Sequence, residues 1–171
     1  TAVPLAGFLL AGLILFREPS SSPAERTTEA ALLSSMTIEN QTDLSALLGQ
    51  TGLSELVIRD SPEISDYSAL SALPHLRSLS ISDAPKLEDA SFLRSLSGLE
   101  ELSLINTGIS DLSPLSGRLS LISLSLEGNP ISDYSFLPSL RSLQTLKLRD
   151  VPREKLPDLS SLSGLSELET A

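Results

Sequence analysis

Leu121–Leu137 reads LISLSLEGNPISDYSFL. Residues alternate across a β-strand, so Leu124 and Leu126 face one way while Ser123, Ser125 and Glu127 face the other. The first six residues, Leu-x-x-Leu-x-Leu, recur as LSELVI from Leu53, LRSLSI from Leu76, LEELSL from Leu99 and LQTLKL from Leu143. First leucines at 53, 76, 99, 121 and 143 are 23, 23, 22 and 22 residues apart. A weaker copy, LSSMTI, begins at Leu33, and a truncated one, LSELET, at Leu165. Self-similarity at a fixed short period is the mark of a coil whose turns stack. A single turn cannot bury its own leucines. A buried leucine is worth on the order of 1.5–3 kcal/mol, and stacking must gain enough of this to offset the entropy of ordering each turn.

The second half of the quoted stretch, ISDYSFL from Ile131, also recurs. ISDYSAL starts at Ile64, LEDASFL at Leu87, ISDLSPL at Ile109 and LPDLSSL at Leu156, with a partial TDLSAL at Thr42. The shared pattern, apolar-x-Asp-apolar-Ser-x-Leu, predicts a turn into a short helical or 3₁₀ segment on the face opposite the strands. Its Asp (Asp66, Asp89, Asp111, Asp133, Asp158) can accept a hydrogen bond from a backbone N–H two or three residues on, and the Ser can bond locally as well. One carboxylate per turn falls short of the roughly six to eight oxygens that Ca²⁺ prefers, so this spacing reads as turn chemistry and no metal site is expected.

LISLSLEGNPISDYSFL and LEELSLINTGISDLSPL (Leu99–Leu115) resemble the short, roughly 22-residue class of leucine-rich repeat found in bacterial internalins, L-x-x-L-x-L-x-x-N-x-I-x-D-L-x-P-L. The resemblance runs from about Leu33 to Ala171. It implies an α/β solenoid with a parallel sheet on the concave face and short helical, 3₁₀ or irregular convex segments. The scaffold hosts many unrelated partners, so the resemblance speaks to fold far more than to function. The family's buried Asn stands here only at Asn129; Gln41, Ser61, Ala84, Thr107 and Val151 occupy the equivalent places. Several turns must therefore satisfy their loop backbone with Ser, Thr or water. Seven strands at about 4.8 Å each span roughly 29 Å.

The chain begins differently. AVPLAGFLLAGLILF (Ala2–Phe16) is 15 residues without a charge, followed by Arg17 and Glu18. A full membrane span takes about 20 apolar residues. A signal-peptide core would want a basic stretch before it, and a helix packed on a small domain would show a polar face. A membrane helix, clipped at its N-terminal end, is the favoured reading, with Phe8, Leu9, Leu10, Leu13, Ile14, Leu15 and Phe16 as the anchor. SPAE (Ser22–Glu25) fits a capping box with Pro at the first helical position, so Pro23–Leu32 is expected as a helix covering the first turn. The organisation is then an apolar anchor over 1–18, a linker and cap helix over 19–32, and six to seven repeats over 33–171. The last repeat lacks a polar cap, and a further segment or another protein is expected to cover it.

Composition removes several function classes. Cys is absent, so thiolate catalysis, disulfides and Cys-ligated metals are excluded. A net charge of −10 opposes nucleic-acid binding, which needs a basic stripe, and suits a soluble surface or a basic partner. His75 is the only histidine, set in a loop after Pro74, and assembles no Ser–His–Asp constellation. No phosphate-binding loop occurs. An enzyme is not expected, nor a cofactor or small-molecule substrate.

The outward strand positions predict a concave face of Glu55, Val57, Arg59, Asp60, Ser78, Ser80, Ser82, Asp83, Glu101, Ser103, Ile105, Asn106, Ser123, Ser125, Glu127, Thr145, Lys147, Arg149 and Asp150. Its middle is a lawn of serine without the Trp, Tyr or Arg that usually anchor interfaces. Arg59, Ile105, Lys147 and Arg149, towards the two ends, are the candidate partner-binding residues. Tyr67, Phe92, Tyr134 and Phe136 are expected in packing between turns. The leading expectation is a non-catalytic protein-interaction module tethered to a membrane, an accessory or structural subunit of a larger membrane protein complex. A receptor or adhesin ectodomain and a regulatory subunit of a phosphatase or kinase are the alternatives. Family habit, the lack of Cys and the Ser-rich surface place the repeats on the extracytoplasmic side, periplasmic or extracellular, against the cytoplasmic hint of Arg17.

Overall fold

The computed structural model describes residues 34–149, 151 and 155–170. The apolar run, the residues expected as a cap helix and Asp150 lie outside them. No helix among the described residues is long and apolar enough to cross a membrane.

Each leucine phrase forms a strand: β1 Ser35–Glu39, β2 Glu55–Arg59, β3 Ser78–Ala84, β4 Glu101–Thr107, β5 Ser123–Glu127, β6 Thr145–Leu148 and β7 Glu167–Thr170. They make one seven-stranded sheet in chain order. Every pairing is parallel, and like repeat positions face each other: Leu56 with Leu79, Leu79 with Leu102, Leu102 with Leu124 and Leu124 with Leu146. Parallel neighbours need a crossover between them, and the second phrase supplies it. The strand starts share one device. The N–H groups of two successive residues, such as Glu100 and Glu101, both donate to one carbonyl of the previous turn, here Arg77 O at 2.7 and 2.9 Å. Ser34, Ser54, Glu100, Ile122 and Gln144 accept in the same way.

The inward residues form one continuous core. Leu53, Leu56, Ile58, Leu76, Leu79, Ile81, Leu102, Leu104, Leu124, Leu126, Leu146 and Leu148 are all buried. The opposite wall comes from the second phrases. These run into short 3₁₀ segments at Ser45–Leu47, Ser68–Ala72, Ser91–Arg94, Ser113–Leu115 and Leu137–Ser139. Tyr67, Phe92, Tyr134 and Phe136 are buried there as expected. The Tyr67 hydroxyl is also buried but has no hydrogen-bond partner among the described residues, and burial pushes its pKa up to about 12.

The aspartates act as turn formers. The carboxylates of Asp43, Asp66, Asp89, Asp111, Asp133 and Asp158 each accept a bond from the N–H of the Ser two residues on, at 2.7–2.9 Å. The hydroxyls of Ser91, Ser113 and Ser160 also donate to Asp89, Asp111 and Asp158. The final turn moves this device. Asp133 lies seven residues after Leu126, whereas Asp158 lies ten after Leu148, and no 3₁₀ segment follows it among the described residues.

One of the places without asparagine is filled by a replacement in kind. Ser61 Oγ accepts from Gln41 N–H at 3.1 Å and donates to Arg59 O. Thr107, also buried, is bonded through both its N–H and its hydroxyl to Asn129 Oδ1 of the next turn. The fourth turn breaks the leucine pattern. Leu73, Leu96 and Leu140 are buried at a position that this turn fills with Arg118. The Arg118 guanidinium donates to Leu93 O at 2.6 Å, and the next residue, Leu119, is left 65% exposed.

Candidate binding face

The outward side chains stand in three rows across the strands. One runs Ser35, Glu55, Ser78, Glu101, Ser123, Thr145, Glu167; the middle one runs Thr37, Val57, Ser80, Ser103, Ser125, Lys147, Glu169. The third pairs Glu39 with Arg59 at one end and joins Ser82, Ile105 and Glu127 at the centre. The predicted outward residues are exposed or half-buried throughout the described part, because the alternation holds along each strand up to the residue of positive φ near its end. The middle row is small and neutral across β3, β4 and β5. Val57, 36% exposed, is its one large apolar member.

A fourth row closes the strands. Asn40, Asp60, Asp83 and Asn106 follow their strands or, in β3 and β4, sit just before the strand end; each has φ between 51° and 54°. Gly128 takes the same place with φ 65°. Asn, Asp and Gly are the residues that enter the left-handed region at low cost. Their recurrence at one repeat position was a legible signal that the alternation argument passed over, treating Asp60, Asp83 and Asn106 only as outward residues. Asn106 Nδ2 donates to Asp83 Oδ1 at 2.9 Å, so the row is itself laddered.

The four candidate partner-binding residues fall on this face and do not converge. Three are cations bound to a glutamate one turn away. Arg59 meets Glu39 at 3.1 Å, Lys147 meets Glu169 at 3.6 Å, and Arg149 meets Glu127 at 3.6 Å. Ile105 is half-buried. The partners were readable in the repeat, since each is an opposite charge 20 or 22 positions away. Two further cations near the rims are paired too: Arg77 with Glu100, and Lys86 with Glu63 at 2.7 Å. The Lys86 bond holds the Glu63 carboxyl below its ordinary value. Such exposed pairs contribute little stability, typically about 0–1 kcal/mol each; their consequence is that they cancel the positive charge on the face.

His75 is exposed. Among the described residues no group of three or more His, Asp or Glu side chains is placed to hold a metal. The seven membrane-anchor residues, Phe8, Leu9, Leu10, Leu13, Ile14, Leu15 and Phe16, lie outside the described part.

The stacked, one-strand-per-turn architecture has counterparts among solved proteins. Internalin C2 from Listeria monocytogenes superposes with a TM-score of 0.60 at 22% identity, over 84% of this chain and 76% of that one. The fold is a leucine-rich repeat solenoid. The leucine-rich repeat domain of the type III effector XopL superposes with a TM-score of 0.67 at 20% identity, over 86% of this chain and 55% of that one. No family model matches the solenoid, and no curated protein sequence does. At these identities the likeness is one of fold.

Proposed function

We propose that the solenoid is a non-catalytic protein-binding module whose outer sheet face is its contact surface. The observation that carries this is the face itself. Seven strands in one sheet present aligned rows of small, hydroxylic and charged side chains, a broad platform with no cluster of groups fit for chemistry among the described residues. A solenoid fold with an open sheet face suits contact with another macromolecule, since the turns form an extended binding surface by stacking. Arg59, Lys147 and Arg149 towards its two ends, and Ile105 on the central strand β4, are the contact residues proposed.

The apolar run Ala2–Phe16 supports a second element of the proposal, a single-pass membrane tether with the repeats on the extracytoplasmic side. On this reading the chain is an accessory or structural subunit of a larger membrane protein complex. The test is an affinity pull-down of the tagged full chain from membranes in mild detergent. A second protein at fixed stoichiometry, lost with Ile105→Arg and retained with Leu119→Ser, is the expected result. Recovery of a lone monomer overturns the proposal. Protease digestion of sealed cells and of inverted vesicles reports the side on which the repeats lie.

A further inference from the structure

The partner's chemistry can be narrowed on the half of the face formed by β2, β3 and β4. We infer that this half takes a protein segment with lysine or arginine at both ends and an apolar middle. The inference rests on the proposed contact role of the sheet face and deepens it.

Charge bookkeeping on this half is one-sided. Its cations are occupied: Arg59 by Glu39, Arg77 by Glu100 and Lys86 by Glu63. At the strand starts Glu55 and Glu101 are exposed and form no ion pair among the described residues, the nearby Arg77 being paired with Glu100. Glu101 accepts only from the Ser78 hydroxyl, at 3.1 Å. At the strand ends Asp60 and Asp83 are exposed in the same way, with Asp83 accepting from Asn106. Each border is also grooved. One groove of about 170 Å³ is lined by Ser54, Glu55, Arg77, Ser78, Glu100 and Glu101. A larger one of about 560 Å³ is lined by Asn40, Asp60, Pro62, Asp83, Pro85 and Asn106.

Between the acidic borders the surface is neutral and carries apolar side chains, Val57 and Ile105, among Ser80, Ser82 and Ser103. The five steps from Glu55 to Asp60, at about 3.3 Å per residue, separate the borders by roughly 16 Å. An extended segment of about five residues spans that distance. A cation at each end meets a carboxylate pair, and apolar residues between them cover Val57 and Ile105. An acidic segment meets four unpaired carboxylates, and like charges facing each other across an interface oppose binding. Complementary charge speeds encounter and makes it salt-sensitive.

The experiment uses the full chain and three synthetic peptides of about nine residues: lysines at both ends with leucine and valine between, the same with glutamate ends, and the same lysine ends with a serine middle. Fluorescence anisotropy reads binding at low salt and at about 0.5 M salt. The lysine–apolar peptide is expected to bind, to weaken about tenfold or more in high salt, and to lose about tenfold in affinity with Glu55→Lys plus Glu101→Lys or with Asp60→Asn plus Asp83→Asn. Asn keeps the left-handed backbone open at the latter two sites. Val57→Ser with Ile105→Ser is expected to reduce its binding to that of the serine-centred peptide. Glu88→Lys, a charge change on an exposed residue that lines neither groove, should leave binding unchanged. Equal loss with Glu88→Lys reduces the effect to net charge and overturns the site. Tighter binding of the glutamate peptide, or no binding by any peptide, overturns the partner chemistry. If the pull-down still yields a partner that Ile105→Arg loses while Glu55→Lys plus Glu101→Lys does not, the contact face stands and only the basic-segment inference falls.

Discussion

Asn129 Oδ1 lies 3.0 Å from the Thr107 backbone nitrogen and 2.6 Å from Thr107 Oγ1, so one amide serves two donors of the preceding turn. Its Nδ2 donates to Leu104 O at 2.9 Å. Alanine at this place strands a buried hydroxyl, the N–H at the end of β4 and a strand carbonyl together. Asn129→Ala is expected to cost about 1–3 kcal/mol, read as a shift of the urea midpoint at constant slope. Asn129→Ser should recover part of the loss, because Ser61 already bonds the Gln41 N–H in the equivalent place. Unchanged stability in the alanine variant would show that this bridge holds nothing.

Tyr67 is 95% buried (5% exposed) and its hydroxyl has no partner among the described residues. Removing an unsatisfied buried group relieves a desolvation penalty, so Tyr67→Phe should raise stability by about 1 kcal/mol. The pH dependence gives a second readout. Burial raises the phenol from 10.0 to about 12, so the folded state holds the proton more tightly than the unfolded one. That contribution is complete below pH 10 and fades as pH climbs towards the folded value. The wild-type urea midpoint should therefore fall more steeply than that of Tyr67→Phe between about pH 9 and about pH 11.5. Parallel curves would contradict the burial of the hydroxyl.

The left-handed row makes a prediction about backbone. At Gly128, φ 65°, an added Cβ would collide with the Asn106 side-chain oxygen. Gly128→Ala is expected to cost about 1–2 kcal/mol from the left-handed conformation alone, and more if Asn106 has to release Asp83. Asp83→Gly should be tolerated and Asp83→Val should not, with thermal midpoints ordering the three variants. Equal tolerance of Val and Gly would mean that the row is not left-handed in solution.

Acid should weaken the turns. The carboxyls of Asp43, Asp66 and Asp89 are held below their ordinary value of 3.8 chiefly by the Ser side chain and then the Ser N–H they accept from. For Asp111 and Asp158 the N–H leads and the hydroxyl follows. A depressed folded value means that the folded state binds fewer protons than the unfolded state. The stabilisation is present above 3.8 and is lost as pH falls through the folded values. Urea midpoints measured from about pH 6 to about pH 2.5 should decline on this limb. Asp89→Asn with Asp111→Asn should flatten the decline, since an amide oxygen can still accept from the turn N–H. An unaltered acid limb would assign it to other carboxylates.

Much of this was legible because the repeat is nearly regular. Leucine spacing fixed the strands and their register, since a one-residue slip would expose every Leu of a strand. The aspartates announced their turns, and the convex aromatics their burial. Other features were hidden by reading one turn at a time. The pairing of Arg59 with Glu39, or of Arg149 with Glu127, emerges only when neighbouring turns are laid side by side. The left-handed row was visible in its Asn, Asp and Gly but was absorbed into the alternation. Arg118 went unnoticed because Leu119, one place along, looks like the leucine that the column wants. The last turn kept its phrase while sliding it three residues, a change that periodicity does not register.

The bonds joining adjacent turns all close loops of nearly one length, and this gives the molecule an unusual kind of editability. Excising residues 99–120 would splice Gly98 to Leu121 and hand the carbonyl of Arg77 directly to Ile122 and Ser123, with every later junction untouched. Such a chain can be lengthened or shortened a strand at a time, about 4.8 Å per step, so the width of its contact surface is a quantity that duplication and deletion can set like the notches of a ruler.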